Sequence, residues 1–456
     1  MDVGRHPNIN LLAYSEIEEV AGELGDFQIT VRKKARYVDE SKCTGCGTCS
    51  EKCPSVISDT YNLGLAKSKA IYKYFAQGIP STYTIDANYC RSFQPGKKCG
   101  VCAKVCLAGA VDYKQQDRLV EIQVGAIILA TGYDLFDAKK LPEYGYGRLP
   151  NVITALEFER LLSASGPTHG HVYRLSDLRL QTEVPELEKS LKKSRSSLEQ
   201  LEKKFGKSSE DFVALYGSAP YQGAEYDQWS ELVRSHRHLS QQLELKQKRM
   251  ADMQTAHRLA FIQCVGSRDI RFNKFCSGFC CMHSIKEAII AREHDSAAEV
   301  FIFGMDIRAV GKNFEEYRNR GAHEVGVHFI RSRVAEITED KNHGPMIWYE
   351  DTMERKVRRL PVDLVILATA CQPSESAKRL AEVLRVSLND FGFFETDPLE
   401  PPDTTRSGVF VVGCAQGPMD IPESVAQASS AATRVAQILS NATRQVNSSQ
   451  GASIDG

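Results

Sequence analysis

Several features that would define a function class at once are missing from this 456-residue sequence. It contains no apolar run of the about 18–20 residues that a membrane-spanning helix requires. The first residues, MDVGRHPNIN, lack the basic-then-apolar pattern of a secretory signal peptide, so we expect a cytoplasmic protein. The formal net charge is −1, which provides no overall positive field for nucleic acid. We therefore expect neither a membrane nor a nucleic acid as a partner.

A glycine-rich loop for a dinucleotide is also missing at the places where it would be expected. No GxGxxG pattern lies near the N-terminus, and cysteines stand where such a loop would follow the first strand of the central region. Because this loop holds the pyrophosphate of dinucleotide cofactors, binding of NAD(P)H is not expected. A standalone NAD(P)H oxidoreductase is disfavoured for the same reason.

Cysteine, in contrast, is abundant, with 14 residues. In a cytoplasmic protein so many cysteines are more often metal-binding or catalytic than disulfide-bonded. Twelve of them fall into groups whose spacing suits 4Fe-4S clusters. The first run, Cys43-x2-Cys46-x2-Cys49-x3-Cys53-Pro54, is the bacterial ferredoxin signature.

A second set follows the first run, with a longer spacing between its first two cysteines. It consists of Cys90 and of Cys99-x2-Cys102-x3-Cys106. In two-cluster ferredoxins the last cysteine of a run binds the other cluster. We therefore assign Cys43, Cys46, Cys49 and Cys106 to one cluster, and Cys90, Cys99, Cys102 and Cys53 to the other. A pair of zinc sites is the alternative, and loss of the stretched second cluster is another.

A third group lies between a strand and a helix. Residues 259–265, LAFIQCV, predict a buried strand with Cys264 at its end. Cys276, Cys280 and Cys281 lie just before or at the start of a predicted helix, whose N-terminus favours negative charge. These four residues are candidates for a third cluster. Core cysteines with a reactive vicinal pair, or a redox-active dithiol, remain as alternatives.

Three further segments indicate a flavoprotein framework. Residues 119–132 predict a strand that ends in Ala130-Thr131-Gly132, and residues 362–370 repeat this pattern. Residues 408–417 predict another strand that enters a glycine turn, and a helix of small residues follows it. This order is typical of flavoproteins with two dinucleotide-binding domains. Three unrelated buried strands of an α/β protein are the alternative.

Residues 184–250 predict an antiparallel helical hairpin. Leu187, Leu191, Leu198, Leu201 and Phe205 form one helical stripe, and a break follows at YGSAPYQGAEYD. The hairpin is either a docking arm for a partner protein or a solvated decoration. The residues after Gln445 predict a disordered tail.

With these residues considered together, the sequence closely resembles the heterodisulfide reductase iron–sulfur flavoprotein HdrA. The resemblance rests on HPNINLLAYSEIEEVAG, KKARYVDESKCTGCGTCSEKCP, FIQCVGSRD, FCSGFCCMHSIKEA and VFVVGCAQGPMDIPESVAQASSAA, among other stretches. It implies an α/β, thioredoxin-reductase-like flavoprotein fold with an inserted two-cluster ferredoxin domain. It also implies FAD and a third 4Fe-4S cluster, held by Cys264, Cys276, Cys280 and Cys281 near the flavin.

The expected domains combine these observations with the resemblance. Part of an FAD-binding domain is expected in 1–38 and 114–175, the ferredoxin insert in 39–113, the helical hairpin in 176–256, a degenerate pyridine-nucleotide-like domain in 257–370, the C-terminal part of the FAD-binding domain in 371–442, and the disordered tail in 443–456. The expected FAD contacts are Ala130, Thr131, Gly132, Gly413, Cys414, Ala415, Asp420 and Ile421. The backbone N–H groups near Ile421–Ser424, at the start of the last helix, are expected to face the flavin. Cys371 and Cys414 are interpreted as buried structural thiols.

The resemblance implies an oxidoreductase component that relays electrons between ferredoxin or hydrogenase-type partners, FAD and a catalytic partner subunit. The other expected partners are the B and C subunits of a heterodisulfide reductase-like complex. An electron-transfer component of a class II benzoyl-CoA reductase or a non-catalytic cluster-bearing scaffold is the alternative. Relatives begin with an extra domain and the Gly-rich FAD loop, so we expect either that a separate chain completes the FAD site or that this is a truncated gene product. Met419 stands where relatives have a lysine, which puts electron bifurcation in doubt.

Overall fold

The computed structural model describes residues 3–209, 224–251, 253 and 255–451. Within these residues the strands are β1 (Ser15–Glu23), β2 (Asp26–Lys33), β3 (Val56–Ser58), β4 (Lys67–Lys69), β5 (Ile71–Tyr72), β6 (Thr84–Ile85), β7 (Arg118–Val124), β8 (Ile127–Leu129), β9 (Tyr133–Leu135), β10 (Val152–Thr154), β11 (Arg258–Val265), β12 (Glu299–Gly304), β13 (His328–Arg331), β14 (Val334–Glu339), β15 (Pro345–Asp351), β16 (Lys356–Pro361), β17 (Leu364–Thr369), β18 (Cys371–Pro373) and β19 (Val409–Val411).

The α-helices of the same residues are α1 (Thr48–Glu51), α2 (Val101–Val105), α3 (Ala155–Leu162), α4 (Leu175–Leu178), α5 (Leu180–Phe205), α6 (Ala224–Ala251), α7 (Cys280–His294), α8 (Phe314–Arg320), α9 (Ala377–Leu384) and α10 (Ile421–Gly451). None of the described helices combines the length and the apolar character needed to span a membrane.

A five-stranded parallel sheet, in the order β10-β17-β11-β12-β13, forms the centre of the largest module. Its middle strands are nearly continuous apolar runs, which is expected for parallel strands that are covered on both faces. Helices α3 and α7 cover one face, where Phe158, Phe261 and Ile285 are fully buried. The antiparallel sheet β14-β15-β16 packs near the other face through Ile337 and Ile347. The α/β class expected from the sequence is confirmed.

Residues 119–132 form two strands in two different sheets, so the expectation of one continuous strand is wrong. Strand β7 pairs antiparallel with β2, whereas β8 pairs parallel with β19. Gly125 lies at the break, and a Cβ atom built there would approach Leu439 Cδ2 to 2.5 Å. A side chain at this break would therefore require the Leu439 side chain of the last helix to move.

The cysteine-rich segment between β2 and β7 has little apolar core of its own. Its elements are two short helices, α1 and α2, and two small antiparallel pairs, β3-β4 and β5-β6. Ile71 and Ile85 are buried together with Cys90 and Cys102, and other cysteines of this segment pack against them. A module with so small a core normally needs covalent or metal links for stability.

The expected helical hairpin is present as α5 and α6. The helices run antiparallel, since Glu183 contacts Lys246 and Phe205 stacks on Trp229 with ring centroids 5.0 Å apart. Leu198 and Trp229 are buried at one end of the pair, and Leu180, Val184 and Leu243 at the other. Most of the predicted break, YGSAPYQGAEYD, lies outside the described residues.

The last helix, α10, continues through the position at which a disordered tail was expected to begin. It spans Ile421–Gly451, and residues 452–456 lie outside the described residues. Ala431, Val435 and Ile438 pack against Phe410 and Val412, which fixes the middle of the helix. No proline, the residue that interrupts a helix most strongly, occurs after Pro422 in this segment.

Candidate iron–sulfur site

The second cysteine set surrounds one cavity, as its assignment to one cluster requires. Cys53, Cys90, Cys99 and Cys102 all line this cavity, together with Ile71 and Ile85. Cys53 comes from the first cysteine run, so the structure brings the crossed-over ligand to the three cysteines of the second. The stretched spacing between Cys90 and Cys99 is accommodated by a short 3₁₀ turn, Arg91–Phe93.

Tyr113 contacts this second set, which the sequence did not indicate. Its hydroxyl oxygen lies 2.9 Å from Cys102 Sγ. Burial raises the pKa of the Cys102 thiol, while the hydrogen bond from Tyr113 opposes this rise by stabilising the thiolate. Tyr113 is therefore placed to donate a hydrogen bond to a candidate sulfur ligand. Its position, seven residues after Cys106, carries no motif by which it could have been found.

The first cysteine set lies beside the second. Burial raises the pKa of the Cys49 thiol to about 11, and the charges of Cys102, Cys43 and Cys46 add to the rise. Thiolates crowded in this way need a positive counter-charge, such as iron ions, to be stable. Cys106 Sγ accepts a hydrogen bond from the Ala110 N–H at 3.4 Å. Sulfur donors suit iron or zinc rather than the oxygen-seeking cations Ca²⁺ and Mg²⁺.

The third cysteine group converges at the carboxyl end of the central strand β11. Burial raises the pKa of the Cys264 thiol, and the charges of Cys281 and Cys276 act in the same direction. Cys280 and Cys281 open helix α7, and both are buried. Carboxyl ends of parallel strands are where α/β sheets bind ligands. All four expected cysteines of this group thus lie in one place.

The loop that follows Cys264 has an unusual backbone. Cys264 and Arg268 have positive φ angles of 59° and 53°, although neither is glycine. At Gly266, with φ of 79°, a Cβ atom would lie 2.3 Å from the Phe136 ring. Non-glycine residues in this region cost of order 1–3 kcal/mol each and concentrate at functional sites. The strained loop places Arg268 beside Cys264, where its guanidinium can hydrogen-bond the sulfur.

Asp269 holds the same loop in place. Its carboxylate is almost fully buried and accepts hydrogen bonds from Arg271 Nη2 and from Arg333 Nη2, both at 2.8 Å. Arg271 also contacts Glu143 at 3.2 Å. The hydrogen bonds from Arg271 and the charge of Arg333 hold the pKa of Asp269 well below its usual range. Arg333 thereby ties Asp269 to the segment between β13 and β14, and Arg271, within the same loop, ties the loop to Glu143.

The turns expected to contact FAD meet at one edge of the β8-β19 pair. Because β8 and β19 are parallel, their carboxyl ends bring Ala130–Gly132 next to Gly413–Ala415. Ala130 and Thr131 are exposed, and Gly132 and Gly413 have positive φ angles of 69° and 65°. The third cysteine group lies next to these turns, since the Tyr133 and Phe279 rings have centroids 5.5 Å apart.

The start of helix α10 differs from the expectation that its N–H groups face a cofactor. The Glu423 N–H donates to the Asp420 carboxylate at 2.8 Å, and the Ser424 N–H donates to the Asp420 carbonyl at 3.0 Å. Pro422 has no N–H. Asp420 therefore serves as a helix cap, and two of the groups expected to face the flavin are already bonded.

The cysteine geometry and the sequence comparison together define the class of this protein. The family described as a 4Fe-4S binding domain matches residues 36–57, so the chain is an iron–sulfur protein. It is 38% identical over 439 residues to the iron-sulfur A subunit of the CoB–CoM heterodisulfide reductase of Methanocaldococcus jannaschii, a match that covers 95% of this chain and 54% of the relative. It is also 38% identical to the A subunit of the H(2):CoB-CoM heterodisulfide,ferredoxin reductase of Methanothermobacter marburgensis, over 96% of this chain and 54% of the relative.

Over nearly its whole length the chain is similar to these HdrA subunits of heterodisulfide reductases, as the sequence motifs indicated. It spans about half the length of the curated relatives it matches. Among solved structures, the Lactococcus lactis thioredoxin reductase is 17% identical with a TM-score of 0.29, over 41% of this chain and 54% of that one. A likeness this low carries no argument about the fold or the site.

Proposed function

We propose that this chain is an iron–sulfur and flavin electron-transfer component of a heterodisulfide reductase-like complex. The observation that carries the proposal is the position of the third cysteine group directly beside the two cofactor-type turns. The rings of Tyr133 and Phe279 bridge the two sites, and Gly278 packs close to Pro418. A redox centre at the cysteines would thus lie within a short distance of a flavin at the turns.

Three sets of four cysteines are the ligands in this proposal. They are Cys43, Cys46, Cys49 and Cys106; Cys53, Cys90, Cys99 and Cys102; and Cys264, Cys276, Cys280 and Cys281. Thiolate-ligated iron–sulfur clusters accept and donate single electrons over a wide range of potentials. The shared cavity of the second set and the mutual charge effects within the first and third support this grouping.

The ferredoxin-type segment is positioned to receive electrons from outside the chain. Cys46 is exposed, and Thr48 Oγ1 lies 3.7 Å from its sulfur. The segment is fixed to the central module by Arg160, which hydrogen-bonds Asn62 at 2.9 Å and lies over the Tyr61 ring. Reduced ferredoxin or a hydrogenase-type partner is the proposed donor, and a separate catalytic protein of the complex is the proposed acceptor.

An FAD site that a further dinucleotide-binding domain completes is supported by the incomplete β8-β19 pair. Parallel sheets are normally buried on both faces and extend over several strands. Among the described residues, no strand pairs with the second edge of β8. Ile128 is 45% exposed on this strand, and Ile421 and Val425 are 80% and 61% exposed on the adjoining helix. This apolar surface suits a dinucleotide-binding domain that would add parallel strands to β8.

Anaerobic redox titration followed by electron paramagnetic resonance tests the proposed function. We expect three components that are each reduced by one electron and recover on reoxidation. Cys53→Ser should alter the component of the second set, and Cys281→Ser should alter that of the third, each leaving the others unchanged. A chain whose clusters are not reduced at potentials that biological donors reach would instead be a structural scaffold.

A further inference from the structure

Two helices that cover the central sheet bring together three metal-ligating side chains that belong to none of the cysteine groups. Glu159 lies on α3, and His283 and Glu287 lie on α7. One ligand atom of each residue lies within 4.8 Å of the ligand atoms of the other two. Because His283 and Glu287 are four residues apart on one helix, their side chains share a face.

The packing of the two helices fixes this arrangement. Phe158 of α3 and Ile285 of α7 are fully buried in the same apolar cluster. Phe158 directly precedes Glu159, and Ile285 lies between His283 and Glu287 in the sequence. The backbone positions of the three polar residues are therefore set by the apolar core beneath them.

Glu287 is the residue that points to a bound cation. Its side chain is fully buried, and neither of its carboxylate oxygens has a hydrogen-bond partner among the described residues. Oε1 lies 3.0 Å from His283 Nε2, but this contact is not aligned as a hydrogen bond. Burying a carboxylate charge is costly, and buried charges are normally paired or coordinate a metal.

We propose that Glu159, His283 and Glu287 bind a divalent first-row metal cation such as Mn²⁺. One imidazole nitrogen and two carboxylate oxygens suit Mn²⁺, Fe²⁺ or Zn²⁺, whereas Ca²⁺ prefers oxygen ligands throughout. An ion that lies about 2.0–2.2 Å from each ligand spans donor atoms up to about 4.4 Å apart, so little movement is required. The two positive charges of the ion balance the two carboxylates.

The site is accessible from solvent on one side. The side chains of Glu159 and His283 are 36% and 29% exposed, whereas Glu287 forms the buried end. Lys286 forms an ion pair with Glu159. Its ammonium group therefore competes with a cation for the Glu159 carboxylate, which makes Lys286 a useful position for a test.

A bound cation would connect α3 to the first turns of α7. That helix begins with Cys280 and Cys281 of the third cysteine group, and His283 follows Cys281 by two residues. The cation would thus brace the helix that carries two of the candidate cluster ligands. The proposal does not rest on the proposed function, because neither a cluster nor a flavin takes part in the binding.

Binding of Mn²⁺ to the anaerobically purified, oxidised full chain without a histidine tag tests the proposal. Weakly bound cations are first removed with EDTA, and the iron content is measured before and after this step. Mn²⁺ prefers oxygen and nitrogen ligands to thiolates, so the cysteines do not compete for it. The six-line electron paramagnetic resonance signal of free Mn²⁺ falls as the ion binds. We expect one tightly bound Mn²⁺ per chain.

Three variants identify the site. Glu287→Gln keeps the size of the side chain, and it should weaken binding by at least the about 10–100-fold that follows the loss of a residue that only supports a ligand. Lys286→Met removes the competing ammonium group and should tighten binding by up to about fivefold. Glu339→Gln is the matched control, because Glu339 Oε2 lies 2.9 Å from His343 Nδ1 at the same four-residue spacing but in an exposed pair. It should leave binding unchanged.

The proposal fails if the wild-type chain binds Mn²⁺ no more tightly than Glu287→Gln, or if Glu339→Gln weakens binding equally. If Glu287→Gln loses its iron together with its fold, Lys286→Met decides. Tighter binding in Lys286→Met supports the site, and unchanged or weaker binding overturns it.

Discussion

Replacing Asp269 by asparagine should loosen the third cysteine group selectively. The carboxylate accepts charge-assisted hydrogen bonds from Arg271 and Arg333 and fastens the loop between Cys264 and Cys276. Hydrogen bonds to charged groups contribute about 1.5–3 kcal/mol. Asparagine keeps one acceptor oxygen, and both arginine side chains are about half exposed and can regain water. We therefore expect the free energy that holds the loop closed to fall by an amount within this range rather than above it.

The lower free energy of loop closure increases the population of the open loop, from which iron is released. At about 1.4 kcal/mol for each factor of ten, the open state becomes roughly 10- to 150-fold more populated. The assay is anaerobic iron release to a strong ferrous chelator. In the variant, the iron of one cluster should leave faster by this factor, while the remainder leaves at the wild-type rate.

Asp340→Asn is the matched control for this prediction. The Asp340 carboxylate accepts N–H groups of Asn342 and Gly344 in an exposed turn between β14 and β15. The chemical change is identical, but no cysteine loop depends on it, so iron release should stay at the wild-type rate. Uniform acceleration of all iron in Asp269→Asn, or no acceleration, would refute the reasoning.

The pH dependence of the Asp269 contact follows from the direction of its pKa shift. The arginines depress the folded-state pKa below the unfolded value of about 3.9. The stabilisation is therefore fully present above that pH and is lost only as the pH falls towards the folded-state pKa. The Asp269→Asn effect on iron release should consequently be constant between pH 6 and 8.

The remaining predictions concern a buried carboxylate, the helical hairpin and a sulfur ligand. Burial raises the pKa of Glu287 to about 7, so the folded chain is increasingly destabilised as the pH rises from about 4.3 towards 7. Glu287→Gln should remove this trend in denaturation measurements at pH 5 and 8. Trp229 is fully buried in the hairpin, and its replacement by alanine should cost about 3–5 kcal/mol locally. Limited proteolysis should then cut the hairpin while iron content stays normal, and Leu245→Ala, at a 69% exposed position, should not have this effect. Tyr113→Phe removes the hydrogen bond to Cys102 and should lower one cluster potential by an amount on the order of tens of millivolts in a redox titration.

The grouping of the candidate ligands could be predicted from the sequence because cysteines that bind clusters follow local spacing rules. The short distances within each cysteine run reflect the size of a cluster, and β11 and β17 show continuous apolar runs that local pattern rules recognise. The similarity to HdrA subunits includes the same residues. The structure adds that Cys53 lines one cavity with the cysteines of the second set.

Other features depend on contacts between distant segments and were not predictable. The break at Gly125 separates strands that pair with different, distant partners, which local patterning does not reveal. Tyr113 and Arg268 contact cysteines from positions that belong to no motif. The N–H groups at the start of helix α10 were expected to face a cofactor, but the Glu423 N–H donates to the Asp420 carboxylate, which caps the helix.

The count of iron, acid-labile sulfide and flavin in the anaerobically purified chain tests the central claim most directly. The account predicts about twelve iron and twelve sulfide per chain, since each of three clusters holds four of each. It also predicts little bound flavin until a dinucleotide-binding partner is supplied. About four iron per chain, or zinc in place of iron, would contradict the account.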